Sequence, residues 1–321
     1  MGNKEPRTFE EQLEILKSRG IRMDTEAEQS KALDIIKRVG YYKLINGYKK
    51  LFIDVFQDDA NGIEEKYKEG VTVSEIYSLY YFDRDLREVL LRHILPVETH
   101  VKSLIAYTIS IKYGNDNYLK YNNFNTDLKK AESIIPNVFS EIHRQISYRD
   151  SDPCINHYLS QYGFIPMWVL NNILTLGTIS KLYSIMKPAD RQMVSRVFSI
   201  QDVTMENFLL YLTDIRNISA HGNRLYCSRR KRPLINTPIH NSLGLPSGAG
   251  EYLNGKRDLF AALIALKYLV SNNDFDNMIR EIDQLLKKLR PRLRTITIDD
   301  VLKEMGFPKN WKDIRKRDLK K

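Results

Sequence analysis

Cysteine is scarce in this sequence. The 321-residue chain has only Cys154 and Cys227, which stand far apart and in no metal-ligand spacing. A reduced chain without disulfides is the simplest interpretation. No window approaches the run of about 18 uncharged apolar residues that a membrane span needs, and the polar start at Met1 has no apolar signal core. We therefore expect a cytoplasmic protein with no membrane partner.

Glycine and proline are also sparse, with 15 and 11 residues. Few chain breakers favour long helices, and strand-like alternation never extends beyond a few residues. Residues 57–70 read as a loop or a short helix, residues 223–255 read as irregular, and Pro96 should kink or divide its helix. Apolar spacing predicts helices over 8–19, 25–39, 72–112, 126–147, 166–174, 178–187, 189–198, 204–221, 257–271, 274–289 and 298–305. The predicted class is all-α, with a small N-terminal helical unit leading into a helix bundle.

Acidic residues are absent between residues 215 and 250, a stretch that holds six basic side chains. The whole chain has 50 basic and 40 acidic residues, for a net charge of +10, and residues 287–321 alone have 13 basic and 5 acidic. A basic balance favours an anionic partner, most commonly a nucleic acid.

The predicted helix over 204–221 carries the most informative polar residues. Asn217 and His221 lie four residues apart and share a face, and Gly222 is placed to end the helix just after His221. Histidine can move the proton of an RNA 2′-hydroxyl at neutral pH, while the fork of Arg216 can hold the phosphate charge. Alternatively, His221 is only a helix C-terminal residue favoured by the dipole, and Arg216 forms a surface ion pair.

Known metal and nucleotide motifs are missing. The sequence has no His-Glu-x-x-His run, no P-loop and no glycine-rich dinucleotide turn after a strand, so we expect no metal ion and no cofactor. His93 and His100 lie seven residues apart, too far for a shared metal site without other ligands. We interpret both as surface or interhelical residues.

The run Leu212–Tyr226, with its Arg-x4-His motif, resembles the signature of abortive-infection (Abi) phage-resistance proteins of the AbiD/AbiF type. These proteins belong to the HEPN superfamily of helical ribonucleases. Other segments resemble the same family in the same order, namely Gly40–Tyr48, Phe82–Arg87, Val97-Glu98, Pro166–Trp168, Leu176–Ser180 and Met305–Trp311. The chain departs from the pattern at Gly222 and Tyr226, where relatives often have a bulkier polar residue and a tryptophan.

The resemblance implies a metal-independent endoribonuclease that acts as a homodimer in phage defence. It implies that Arg216 and His221 are catalytic, that Asn217 supports them, and that Glu98 orients Arg216. Cleavage would proceed by transphosphorylation and leave a 2′,3′-cyclic phosphate. The implied organisation is an N-terminal unit (1–65), a HEPN-like bundle (66–290) and a basic C-terminal extension (291–321).

The basic stretch after the motif predicts an RNA-binding surface. Its candidate residues are Arg224, Arg229, Arg230, Lys231 and Arg232. The same stretch supports an alternative function, a non-catalytic module that binds a structured small RNA. A third hypothesis is a protein-binding regulator, such as one half of a toxin–antitoxin pair. An antitoxin or a regulatory RNA is therefore a further predicted partner.

Overall fold

The computed structural model describes residues 5–59, 62–148 and 152–316, and this part of the chain is predominantly helical. The all-α class is thereby confirmed. The helices are α1 (Phe9–Ser18), α2 (Glu26–Val39), α3 (Val73–Tyr113), α4 (Ala131–Ser147), α5 (Pro153–Tyr162), α6 (Met167–Leu170), α7 (Leu176–Ile185), α8 (Pro188–Ser195), α9 (Asp202–Ala220), α10 (Pro238–Ser242), α11 (Leu259–Leu269), α12 (Asn272–Leu289) and α13 (Ile298–Met305). A π-helical turn spans Tyr42–Asn46 and short 3-10 turns fill several connections.

Helix α3 is the element around which the others pack. Its 41 residues correspond to about 60 Å of helix, and α2, α6, α8, α9 and α12 all pack against it. Pro96 lies inside the helix without dividing it. Proline removes one backbone hydrogen bond, and the surrounding packing of buried side chains such as Ile94 and Val97 holds the helix together across that gap.

A β-hairpin stands where the sequence favoured a loop or a short helix. Strand β1 (Ile53–Asp59) pairs antiparallel with β2 (Gly62–Tyr67), so that prediction was wrong. Cross-strand backbone hydrogen bonds define such a hairpin, and they leave no mark in the sequence when apolar alternation is weak. Two further strands of two residues each, β3 (Ser247–Gly248) and β4 (Glu251–Tyr252), interrupt the stretch predicted to be irregular.

Helix α5 was also missed, although its start carries a recognisable signal. Asp152 accepts hydrogen bonds from the backbone of Cys154 and Ile155, with Pro153 at the first helical position. Asp and Pro in these places are typical of a helix start. Helix α2 begins with a capping box, in which the Thr25 hydroxyl accepts the Glu28 backbone N–H and the Glu28 carboxylate accepts that of Thr25.

The C-terminal extension is docked onto the bundle. The buried carboxylate of Glu75 on α3 accepts the backbone N–H groups of Arg294 at 2.7 Å and Thr295 at 2.8 Å. Phe307 and Trp311 are buried with ring centroids 5.0 Å apart, and Phe307 also packs on Phe260 of α11. Residues 317–321 of the predicted extension, and the start of the chain at residues 1–4, lie outside the described residues.

Candidate active site

Helix α9 presents the motif at its C-terminal end. Phe208, Leu212 and Ile215 bury one side of the helix, as the sequence predicts. Gly222 adopts φ +66°, and its N–H donates to Ser219 O while Asn223 N–H donates to Ile218 O. This pair of bonds is a Schellman motif, which needs the left-handed conformation that glycine adopts without strain.

His221 is the C-cap residue of α9 and is exposed to solvent. Asn217, one turn earlier, is exposed as well, and its carbonyl accepts the His221 backbone N–H at 3.0 Å. The imidazole therefore projects from the bundle and can be reached by a substrate. A buried histidine would have argued against a catalytic role.

Arg216 reaches back toward α3. Its Nε lies 3.4 Å from Glu98 Oε2, and the other oxygen of Glu98 pairs with Lys102 Nζ at 2.8 Å. The Arg216 contact is an ion pair without hydrogen-bond geometry, since both atoms lack a hydrogen-bond partner within the described residues. The Glu98 side chain is 7% exposed and that of Arg216 is 28% exposed. A buried carboxylate thus pairs with the guanidinium of a partly exposed arginine.

Arg216 and His221 leave α9 in different directions. Five residues at about 100° per residue place them about 140° apart around the helix axis. Within the described residues no side-chain hydrogen bond joins Arg216, Asn217 and His221 to one another, although the backbone N–H of His221 donates to Asn217 O. The three side chains surround an exposed helix end rather than line a closed pocket.

The loop that follows His221 is anchored by a buried carboxylate on α3. Asp83, fully buried, accepts the backbone N–H of Tyr226 at 2.7 Å and that of Leu225 at 3.1 Å. It also accepts the Tyr48 hydroxyl and one Arg87 nitrogen, each at 2.7 Å. Burial raises the pKa of the Asp83 carboxyl, and Arg87 and the other donors counter that rise.

Further contacts tie the same loop to the π-helical segment. Tyr226 stacks on Tyr48 with 5.8 Å between ring centroids, and Arg224 donates to the carbonyl of Gly47 at 2.8 Å. Lys43 Nζ lies beside Gly222. Three sequence segments that carry the family resemblance, 40–48, 82–87 and 212–226, therefore meet at the end of α9. Sequence reasoning assigned no role to Asp83, Arg87 or Lys102, although acid and base four residues apart on a largely apolar helix is a signal for an internal pair.

The predicted RNA-binding residues differ in what they contact. Arg224 and Arg229 donate to backbone carbonyls, that of Arg229 belonging to Glu304 at 2.8 Å. Arg230 lies 3.7 Å from the carboxylate of Asp214. Lys231 and Arg232 are exposed and have no side-chain partner in the described part of the chain. Of these five side chains, only those of Lys231 and Arg232 are therefore left without an internal partner in the described residues.

Residues 34–227 match the family model described as Abi-like protein, which is more than half of the chain. The chain belongs to the Abi-like family. This membership supports a role in abortive infection, a form of phage defence. No curated protein and no solved structure matches the chain.

The region matched to the Abi-like family contains α3, α9 and the Asp83 network, and it ends at residue 227, before the basic residues 229–232.

In residues 5–59, 62–148 and 152–316, no three His, Cys, Asp or Glu side chains are grouped closely enough to hold a metal ion. His93 lies near Glu281 at 3.8 Å and His100 packs on Phe198, so the two histidines have different neighbours, in keeping with the interhelical interpretation. Likewise, no helix in these ranges has the length and apolar character to cross a membrane.

Proposed function

We propose that this Abi-like protein is a metal-independent endoribonuclease of the HEPN type that cleaves RNA during phage infection. The observation that supports it most is the end of α9. There an exposed histidine and a partly exposed arginine, which pairs with a buried glutamate, project from the same helix end in different directions. A phosphodiester is anionic, and this arrangement offers it a proton-transfer group and a cation together.

Cleavage would proceed by attack of the 2′-hydroxyl on the adjacent phosphorus. His221 removes the hydroxyl proton as the new O–P bond forms, and the 5′-oxygen leaves with a proton returned by an imidazolium. The products are a 2′,3′-cyclic phosphate and a 5′-hydroxyl. Arg216 donates its outer nitrogens to the non-bridging oxygens, whose charge grows in the transition state, and Asn217 supports the imidazole or a phosphate oxygen.

A homodimer is part of the proposal. Since Arg216 and His221 diverge around α9, a second copy could contribute the matching group across a shared cleft. The exposed side of α3 near Lys102 carries Tyr107 and Ile111, which are 61% and 67% exposed and line one pocket with it. Large exposed apolar side chains in such a cluster are typical of a contact surface. Sedimentation analysis of the purified protein measures its oligomeric state.

The experiment compares RNA cleavage by the wild type with that of His221→Ala and Arg216→Ala. We expect both variants to lose cleavage while thermal unfolding stays close to that of the wild type, since both side chains are at least partly exposed. His143→Ala and Arg280→Ala change exposed residues on α4 and α12 and serve as matched controls. Mass analysis of the new RNA ends should show the cyclic phosphate. Cleavage that survives in both site variants would refute the proposal.

The acid-free stretch from 215 to 250 also favours a second function, a non-catalytic module that binds a structured small RNA. It predicts steeply salt-dependent RNA binding, no cleavage, and little effect of His221→Ala on affinity.

A toxic nuclease would in addition need a restraining partner, and we propose an antitoxin or a regulatory RNA for that role. Analysis of the nucleic acid and protein that copurify with the chain distinguishes these possibilities.

A further inference from the structure

A cleft of about 400 Å³ lies between α9 and the basic segment Arg229–Pro233. Asn207 and Asp214 are on its helical wall, and Arg230, Lys231 and Arg232 are on the opposite wall. Arg229 also borders it, but its guanidinium donates to the carbonyls of Glu304 and Ser228. This cleft is separate from the motif residues Arg216 and His221, which do not line it.

The backbone of the basic segment is held in place at both ends. Asn207 on α9 donates to Pro233 O at 3.2 Å and accepts the Ile235 N–H at 2.8 Å. Arg230 N–H donates to Arg257 O at 2.7 Å, and the Arg257 guanidinium donates back to Lys231 O. The basic side chains therefore project from a preorganised backbone, which lowers the entropy cost of binding a ligand.

The charges in the cleft favour an anion. Nε of Arg230 is enclosed by protein and has no hydrogen-bond partner within the described residues. Asp214 is the acidic residue of the lining, but its side chain is 55% exposed and lies 3.7 Å from Arg230. Lys231 and Arg232 add two exposed cations without a side-chain partner in the described part of the chain. Cations thus outnumber the carboxylate.

The position of the cleft relates it to His221. Asn207, Asp214 and His221 follow one another at intervals of seven residues, which is nearly two helical turns, so they lie along one side of α9. At about 1.5 Å per residue, Asp214 is about 10 Å and Asn207 about 21 Å from His221 along the helix axis. A strand that stacks at about 3.4 Å per nucleotide covers this span with about three to six nucleotides.

We infer that this cleft is a phosphate subsite, in which Arg230, Lys231 and Arg232 bind the RNA backbone about three to six nucleotides from the bond at His221. The inference rests on the proposed function for its geometry. It extends that function because the basic wall lies beyond residue 227, where the match to the Abi-like family model ends. The subsite would select substrates by length on one side of the cleavage point rather than by base identity.

The test measures binding of 2′-O-methyl RNA, which has no 2′-hydroxyl to attack and stays intact. Oligonucleotides are lengthened one nucleotide at a time, and their affinity for the full chain is followed by fluorescence anisotropy. We expect a step in affinity once the strand reaches the cleft. Lys231→Gln with Arg232→Gln should abolish the step and make the plot of log affinity against log salt shallower by about 1 per lost cation.

Two further variants sharpen the result. Lys129→Gln with Lys181→Gln removes the same charge from exposed lysines that do not line the cleft, and it should keep the step. Asp214→Asn removes the carboxylate beside Arg230 and should strengthen binding of the longer strands. A smooth length dependence, or equal losses in both double variants, would overturn the inference. If the step behaves as expected while wild-type protein cleaves no RNA, the subsite stands and the nuclease proposal fails.

Discussion

Glu98 offers the sharpest test of how the candidate site is held together. Its buried carboxylate contacts Lys102 at 2.8 Å and Arg216 at 3.4 Å. Glu98→Gln keeps the shape of the side chain and an oxygen that can accept from Lys102, but it removes the charge that attracts Arg216. If Arg216 stabilises the transition state, this change should lower kcat and leave KM nearly unchanged.

The size of the effect follows from the distance and the exposure. Two unit charges 3.4 Å apart attract by about 5 kcal/mol at an effective dielectric constant of 20 and by about 1 kcal/mol in bulk water. Since the Arg216 side chain is 28% exposed, solvent screens the pair toward the lower value. A loss of about 1–2 kcal/mol corresponds to a fall in kcat of about five- to thirtyfold.

The assay is single-turnover cleavage of an RNA oligonucleotide, combined with urea unfolding of each variant. We expect the free energy of unfolding to fall by about 1–2 kcal/mol, a change that most domains tolerate. Glu141→Gln is the matched control, because it disrupts a 2.8 Å ion pair with Arg144 on α4. Its cleavage rate should equal that of the wild type.

A double-mutant cycle separates positioning from a general loss of structure. Once Arg216→Ala has removed the guanidinium, Glu98→Gln should cost no further activity, because Glu98 acts through Arg216. Glu98→Gln protein that cleaves as fast as the wild type, or that loses a further tenfold in the Arg216→Ala background, would show that this reasoning is wrong.

Three further predictions concern stability. Gly306 and Gly163 both adopt positive φ, +75° and +77°, but a Cβ at Gly306 would lie 2.2 Å from the Asp258 carboxyl carbon whereas one at Gly163 would meet nothing within 4 Å. Calorimetry should therefore show a loss of about 3–5 kcal/mol for Gly306→Ala and about 1–2 kcal/mol for Gly163→Ala, and equal losses would contradict the steric argument. Burial raises the pKa of Asp258 to about 6, so the folded state binds the proton more tightly than the unfolded state does. Stability should then fall by about 2 kcal/mol as the pH rises from about 4 to about 6, and urea titrations of Asp258→Asn should lack this slope. Asp83→Asn leaves Arg87 without its buried counter-charge and should cost about 3–5 kcal/mol in urea unfolding, whereas a loss below about 1 kcal/mol would show that the charge is dispensable.

Local features of the fold were predictable from the sequence because neighbouring residues decide them. The capping box at Thr25 and the glycine stop after His221 each depend on residues within one or two turns. The hairpin of β1 and β2 was not predictable in this way, since its hydrogen bonds join residues whose sequence carries little alternation. The stacking of Tyr48 on Tyr226 joins residues far apart along the chain and was likewise absent from the pattern.

The candidate site was likewise predictable only where neighbouring residues decide it. Spacing and chemistry in the sequence singled out Arg216 and His221, and resemblance to a family added Glu98. That His221 would lie at a helix end followed from the glycine stop, but the contact between Arg216 and Glu98 depends on how α9 packs against α3. The catalytic roles themselves stay predictions until cleavage is measured.

By itself the sequence determined the helical class, the exposed end of α9 and the excess of positive charge, because each is a local or additive property of the chain. Only the tertiary structure decided which charges remain available to a ligand. Arg229 is engaged by a carbonyl near the C-terminus, while Lys231 and Arg232 face a cleft. The reason is physical: a cation binds whichever acceptor the fold brings near it, and that acceptor can come from anywhere in the chain.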